Sequence, residues 1–224
     1  MITSRDNPKL RTIARLNARR DRELFVAEGE DLVDAALAAG WPASFVLRAE
    51  DDVEPRLLDE VSGLGSGTRV VGVFERRLAP AATGRCVALW GVKDPGNVGT
   101  VLRSALAFGF DSVAIGPETA DPFGPKAVRA SMGAVFAVPV ARVHHVGELP
   151  GPVLALDGGG DVELAGAPAA QTVVVGAERT GLPPEVLEAV DAVARIPIRG
   201  ADSLNAAMAA TIALYDLDRR MARA

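Results

Sequence analysis

A single cysteine, Cys86, rules out an internal disulfide. With only the adjacent His144 and His145 to join it, no plausible ligand set for zinc exists, and no metal is expected. Cys86 lies in an apolar run and reads as a buried core thiol in a reducing compartment, which suggests a cytoplasmic protein. No uninterrupted apolar stretch reaches the roughly 18 residues that a membrane span needs. The first residues, MITSRDNPK, carry charge where a signal peptide needs its apolar region. Missing motifs narrow the chemistry further. There is no Gly-x-x-x-x-Gly-Lys-Ser/Thr, so a P-loop is absent, and no Gly-x-Gly-x-x-Gly follows a strand. The run Asp157-Gly-Gly-Gly160 is too short to count as one. Without a Gly-x-Ser-x-Gly elbow, a hydrolase triad lacks its nucleophile. The two histidines follow a strand-like stretch, Ala137 to Val143, and read as surface or fold residues rather than a catalytic base.

What the chain does have is an uneven charge. The net value of −5 argues against a general nucleic-acid coat. Before Glu23, however, Arg5, Lys9, Arg11, Arg15, Arg19, Arg20 and Arg22 face only Asp6 and Asp21. Such a basic arm can supply phosphate contacts locally, or it can be an ordinary solvated helix face.

The hydrophobic pattern divides the chain. A helix over Asn7–Asn17, a strand at Phe25–Ala27, a helix over Asp31–Ala39, a strand at Ser44–Leu47, a helix over Val53–Val61 and a strand at Arg69–Val71 make a small α/β module, residues 1–78. Residues 79–84 have linker composition. Beyond them, residues 85–224 change to near-continuous apolar strands: Cys86–Trp90, Ser112–Ile115, Val153–Leu156, Thr172–Val175 and Val193–Ile196. Helices are predicted between them, at Val98–Phe108, Lys126–Met132, Pro184–Val190 and Leu204–Met221. Strands without alternation, interleaved with helices, indicate an α/β fold with a parallel sheet covered on both faces. Ligands in such sheets sit beyond the carboxyl ends of strands. The loops there, Val92–Gly99, Asp157–Gly160, Gly176–Gly181 and Pro197–Asp202, all contain glycine, which lets a ligand approach the backbone closely.

Three stretches stand out at those ends. Asn97, near a helix start, can cap the first turn or hold a substrate oxygen. Arg103 follows on the same helix and can either reach solvent along its stem or bind phosphate and a developing oxyanion. Glu178, in Gly176-x-Glu178-x-x-Gly181, can place a carboxylate at the ligand end or merely cap the next helix. The third is Ile196–Leu217, a short strand, a turn and an Ala-rich helix entered at Ser203. Ser203 is expected to cap that helix, with Asn205 beside it and the alanines allowing close packing.

Asn97-x-Gly99-x-x-x-Arg103, Gly176-x-Glu178-x-x-Gly181-Leu182, and Ile196-Pro-Ile198 followed by Ser203-Leu-Asn205 together resemble the SpoU (TrmH) branch of the SPOUT superfamily of RNA methyltransferases. Ala120–Gly133 is also typical of that family, and the resemblance covers about residues 85–220. More loosely, the first module, with Phe25-Val-Ala-Glu-Gly29, resembles the small L30e-like substrate-binding domain of the same enzymes. The resemblance implies a trefoil-knotted parallel-sheet domain and S-adenosyl-L-methionine as cofactor, bound at the positions of Gly176, Ile196 and Leu204. It implies methyl transfer to a ribose 2′-hydroxyl of RNA, ribosomal more than transfer, with the polar set Asn97, Arg103, Glu178, Ser203 and Asn205. It also implies a homodimer with the last helix at the interface and the active site shared across it. A non-catalytic RNA-binding or assembly factor on the same fold is the competing class, and a base methyltransferase a third.

Overall fold

Two sheets organise the molecule, a computed structural model that describes residues 1–18, 21–201 and 203–221. The first is antiparallel, of three strands: β1 (Leu24–Glu28), β2 (Ala43–Arg48) and β3 (Val70–Glu75), in the order β1-β3-β2. Strand β3 runs on past Val71, where the apolar pattern had suggested an end. Gly72 and the alternation around it obscure the signal. A side chain at Gly72 would collide with the Phe74 ring on the same face. Alternation then sorts the residues. Val26, Val71 and Val73 face α1 (Pro8–Ala18) and α3 (Pro55–Val61), where Leu10, Ile13, Leu57 and Leu58 bury. Phe25, Ala27 and Phe74 face the other way, onto α2 (Glu30–Ala38) and the rest of the molecule. Arg19 and Arg20 of the basic arm lie outside the described residues.

The second sheet has seven strands, all paired in parallel: β4 (Cys86–Leu89), β5 (Ser112–Ile115), β6 (Val140–Arg142), β7 (Val153–Leu156), β8 (Val162–Glu163), β9 (Thr172–Val175) and β10 (Ala192–Arg195). Their order is β6-β5-β4-β9-β7-β10-β8. Strands β4, β5, β7 and β9 are buried along their whole length, as their unbroken apolar sequences require. One face carries Val87, Leu89, Val113, Ile115, Leu154 and Val173 against α4 (Pro95–Ala107) and α8 (Ala206–Met221). The opposite face is built from small residues, Cys86, Ala88, Ala114 and Ala155, and takes Val186 of α7 (Pro184–Ala189). Cys86 is fully buried there, and burial pushes its thiol up to about 11, which makes it unreactive in the folded state. The strand-like Ala137–Val143 stretch splits: α6 (Ala134–Ala137) ends where β6 is about to begin. No helix of the described residues is long and apolar enough to cross a membrane.

The two sheets share one core. Phe25 meets Phe123 at 5.0 Å between ring centroids, and Trp41 meets Phe136 at 5.4 Å, joining the first sheet to the segments around α5 (Pro125–Ser131) and α6. The Trp41 indole N–H also donates to the Phe136 carbonyl at 3.0 Å. The 79–84 stretch lies along the second sheet: Ala79 N–H donates to Val140 O, and Thr83 exchanges hydrogen bonds with the Ser112 hydroxyl.

Candidate functional site

Helix α4 starts at Pro95, whose fixed φ suits a first helical position. Asp94 caps it, accepting from the Gly96 amide at 2.6 Å, and Lys126 of α5 binds the same carboxylate at 2.9 Å. The Lys126 hydrogen bond, then the Gly96 amide, hold the Asp94 carboxyl below its ordinary range. Gly99 explains part of the first motif's spacing. A Cβ there would come within 2.6 Å of Ala130 Cβ and 2.9 Å of Ser131 N, so only glycine lets α4 and α5 pack this closely. The Asn97 side chain faces the far loop. Its amide nitrogen donates to Glu178 Oε1, and its oxygen accepts from Asn205 Nδ2 at 3.1 Å.

Asn205 is also the cap of α8. Its side-chain oxygen accepts from the amides of Ala207 at 2.9 Å and Met208 at 3.2 Å, and its carbonyl takes the Ala209 amide at 2.9 Å. The cap expected at Ser203 is therefore two positions further on, and the helix begins at Ala206 rather than Leu204. Both residues have cap chemistry, but only Asn205 can cap and bridge to Asn97 at once, because an amide carries donors as well as an acceptor. Ser203 and Leu204 are thereby freed to line a cavity.

That cavity, of about 260 Å³, lies at the carboxyl ends of β7, β9 and β10. Its apolar wall includes Leu156, Val175, Ile196, Leu204 and Ala209, and its polar rim Asp157, Glu178, Arg179 and Ser203. The loop Gly176–Gly181 is closed on itself by Ala177 N–H to Gly181 O at 3.2 Å and Gly181 N–H to Ala177 O at 3.0 Å. Gly181 has a positive φ of 64°, and a Cβ on Gly176 would sit 2.5 Å from the Gly181 carbonyl carbon. Glycine at both positions is what lets the loop fold flat beside the cavity.

The structure thus brings Gly176, Glu178, Ile196, Ser203 and Leu204 to one cavity and ties Asn97 and Asn205 to it through Glu178. Arg103 stands apart. It is exposed on α4 and is not among the cavity's lining residues. Beside it, Leu106 of α4 and Met208, Ile212 and Tyr215 of α8 leave apolar surface uncovered, Met208 being 62% exposed.

Tyr215 is 51% exposed, Leu106 47% and Ile212 41%, and the Tyr215 ring meets Phe108 edge-on at 5.8 Å. Arg129 of α5 is committed within the fold: its guanidinium donates to buried Glu28 at 3.0 Å. In the basic arm, Arg5, Arg11 and Arg15 pair with Glu60, Asp6 and Asp21. Reading the motifs alone missed Asp157 and Ala209. The glycine run after Asp157 was the available signal for the first.

Comparison with known proteins agrees with this geometry. The model of the SpoU rRNA Methylase family matches residues 84–215. The 23S rRNA (guanosine(2553)-2′-O)-methyltransferase RlmP of Bacillus subtilis is 31% identical, over 96% of this chain and 98% of that protein. An AdoMet-bound rRNA methyltransferase from Sinorhizobium meliloti superposes with a TM-score of 0.88 at 32% identity, covering 98% of this chain and 97% of that one. The SpoU methyltransferase AviRb from Streptomyces viridochromogenes, also in complex with AdoMet, gives 0.85 at 27% identity, over 96% and 98%.

Proposed function

From the premise that the chain belongs to the SpoU rRNA Methylase family, we propose that it methylates a ribose 2′-hydroxyl of ribosomal RNA, with S-adenosyl-L-methionine as donor. The observation that carries the reading is the hydrogen-bonded chain Asn205–Asn97–Glu178 beside a glycine-walled cavity. The cavity suits the cofactor: an apolar wall for the adenine, backbone brought close at Gly176, and carboxylates at the rim for a cationic ligand. The bound cofactor supplies an already activated methyl group. The protein's part is to align the hydroxyl and ease the loss of its proton.

Gly176, Ile196 and Leu204 hold the cofactor in this reading. Asn97 and Asn205 fix the Glu178 carboxylate, and Ser203 faces the ribose. Arg103 clamps the target phosphate and stabilises the developing alkoxide, while water or a phosphate oxygen takes the proton, because a guanidinium is effectively never deprotonated. The absence of Arg103 from the lining of its own chain's cavity fits a site shared between two copies. The uncovered residues Leu106, Met208, Ile212 and Tyr215 supply the apolar surface such a homodimer needs. The reading includes the family's trefoil knot, residues 1–78 as an RNA-binding domain, and a cytoplasmic setting.

Tritiated methyl groups from labelled cofactor, mapped onto nucleosides of digested rRNA, test it. Label on 2′-O-methylnucleosides is expected. Label on bases points to a base methyltransferase, and RNA binding without label points to an assembly factor. Sedimentation of the wild type against Met208→Glu tests the dimer.

A further inference from the structure

Asp157 belongs to none of the family motifs, yet its side chain borders the cavity. Its backbone is fixed on both sides: Asp157 N–H donates to Ala194 O at 3.0 Å, and Asp157 O accepts from Gly160 N at 3.1 Å. The side chain is aimed as well, with Oδ1 accepting the Gly159 amide at 2.9 Å. The second oxygen, Oδ2, lies over Gly181, where even a Cβ would come to 3.2 Å. No donor among the described residues reaches Oδ2. An oriented carboxylate with one oxygen satisfied and the other open to a cavity is an acceptor for ligand donors.

We propose that Asp157 accepts hydrogen bonds from the ribose hydroxyls of the nucleoside cofactor, and so helps set the affinity for it. The inference rests on reading the cavity as the cofactor site. A sulfonium has no hydrogen to donate and responds only to the local field, which Glu178 on the same rim also supplies. Vicinal hydroxyls are neutral, directional donors, and a carboxylate accepts them in short charge-assisted bonds. The missing side chain at Gly181 leaves space beside Oδ2 for a sugar. Strand-end carboxylates take ribose hydroxyls in other open α/β sheets as well.

Calorimetric titration separates the possibilities, using S-adenosylhomocysteine, its 2′,3′-dideoxy analogue and S-adenosylmethionine on the wild type, Asp157→Asn and Asp157→Ala. The wild type should bind S-adenosylhomocysteine about 10- to 100-fold more tightly than the dideoxy analogue. Asp157→Ala should lose a similar factor for both hydroxylated ligands and no longer distinguish the analogue. Asp157→Asn, which keeps the acceptor for Gly159, should lose less while melting like the wild type. Unchanged affinity in Asp157→Ala, or weaker binding of S-adenosylmethionine alone, overturns the proposal. A wild type that binds none of the ligands overturns the cofactor reading itself.

Discussion

The seam between the two sheets and the rim of the cavity use the same residue types to opposite ends. At the seam the charges are matched. Arg76 makes a bidentate pair with Asp121 at 2.6 and 2.7 Å, donates to the Asp21 carbonyl, and stacks over Phe123 at 4.8 Å. Glu28, 4% exposed, accepts from Asn17, Gly63 and Arg129. At the rim, Asp157 and Glu178 each have one oxygen bound within the chain, and away from the cavity Arg103 projects from α4 into solvent. Matched charges hold parts of a protein together, whereas partly satisfied ones leave binding capacity for something else. That contrast sorts structural residues from candidate site residues better than residue type does.

Breaking the seam should have the largest effect. Removing one partner of a buried pair leaves the other's charge desolvated, so Arg76→Ala should cost about 3–5 kcal/mol in urea denaturation. Replacing both partners with apolar residues, Arg76→Met with Asp121→Leu, should cost less than the single change. Equal losses would mean that the pair itself, rather than the stranded charge, dominates.

Arg103→Ala should give the opposite profile. Stability should stay within about 0.5 kcal/mol, since an exposed side chain is lost. Methyl transfer should fall by about 100-fold or more, as when a transition-state donor is removed. Cofactor affinity should persist. A variant that transfers methyl groups at the wild-type rate would remove Arg103 from the site.

Asn205 lies between these extremes, because it both caps α8 and donates to Asn97. Asn205→Ala should cost about 1 kcal/mol of stability from the lost cap, together with a loss of transfer. Asn205→Asp keeps an acceptor for the cap but places a second carboxylate near Glu178. Its stability should recover while transfer does not, which thermal melts and single-turnover assays can read.

Much of this was legible in sequence because it depends on local pattern. The unbroken strands Cys86–Leu89 and Thr172–Val175 could only be buried, and glycine marked the ligand-side loops. The cap was misplaced because Ser203 and Asn205 are equally good caps locally, and only the contact with Asn97 across the fold decides between them. The seam was not legible at all. Arg76 and Asp121 are far apart in the chain, and composition around residues 79–84 suggested a linker where the segment is held against β6 and Ser112.

The smallest expected effect lies at the solvent edge of the seam. Asp21 accepts from Arg15, from the Glu23 amide at 2.8 Å and from the Leu24 amide at 2.9 Å. The Arg15 hydrogen bond, then those two amides, hold its carboxyl well below the ordinary carboxylate range. A depressed folded pKa stabilises the fold fully above the unfolded value of about 3.9, and that contribution disappears as pH falls toward the folded value. Asp21→Asn should therefore be less stable than the wild type at neutral pH, with the gap closing as pH drops below about 4. Screening at this edge should keep the neutral-pH difference to about 1 kcal/mol or less. Melting curves of both proteins across that range provide the check. A gap that stays constant with pH would show that the Asp21 hydrogen bonds matter for shape rather than charge.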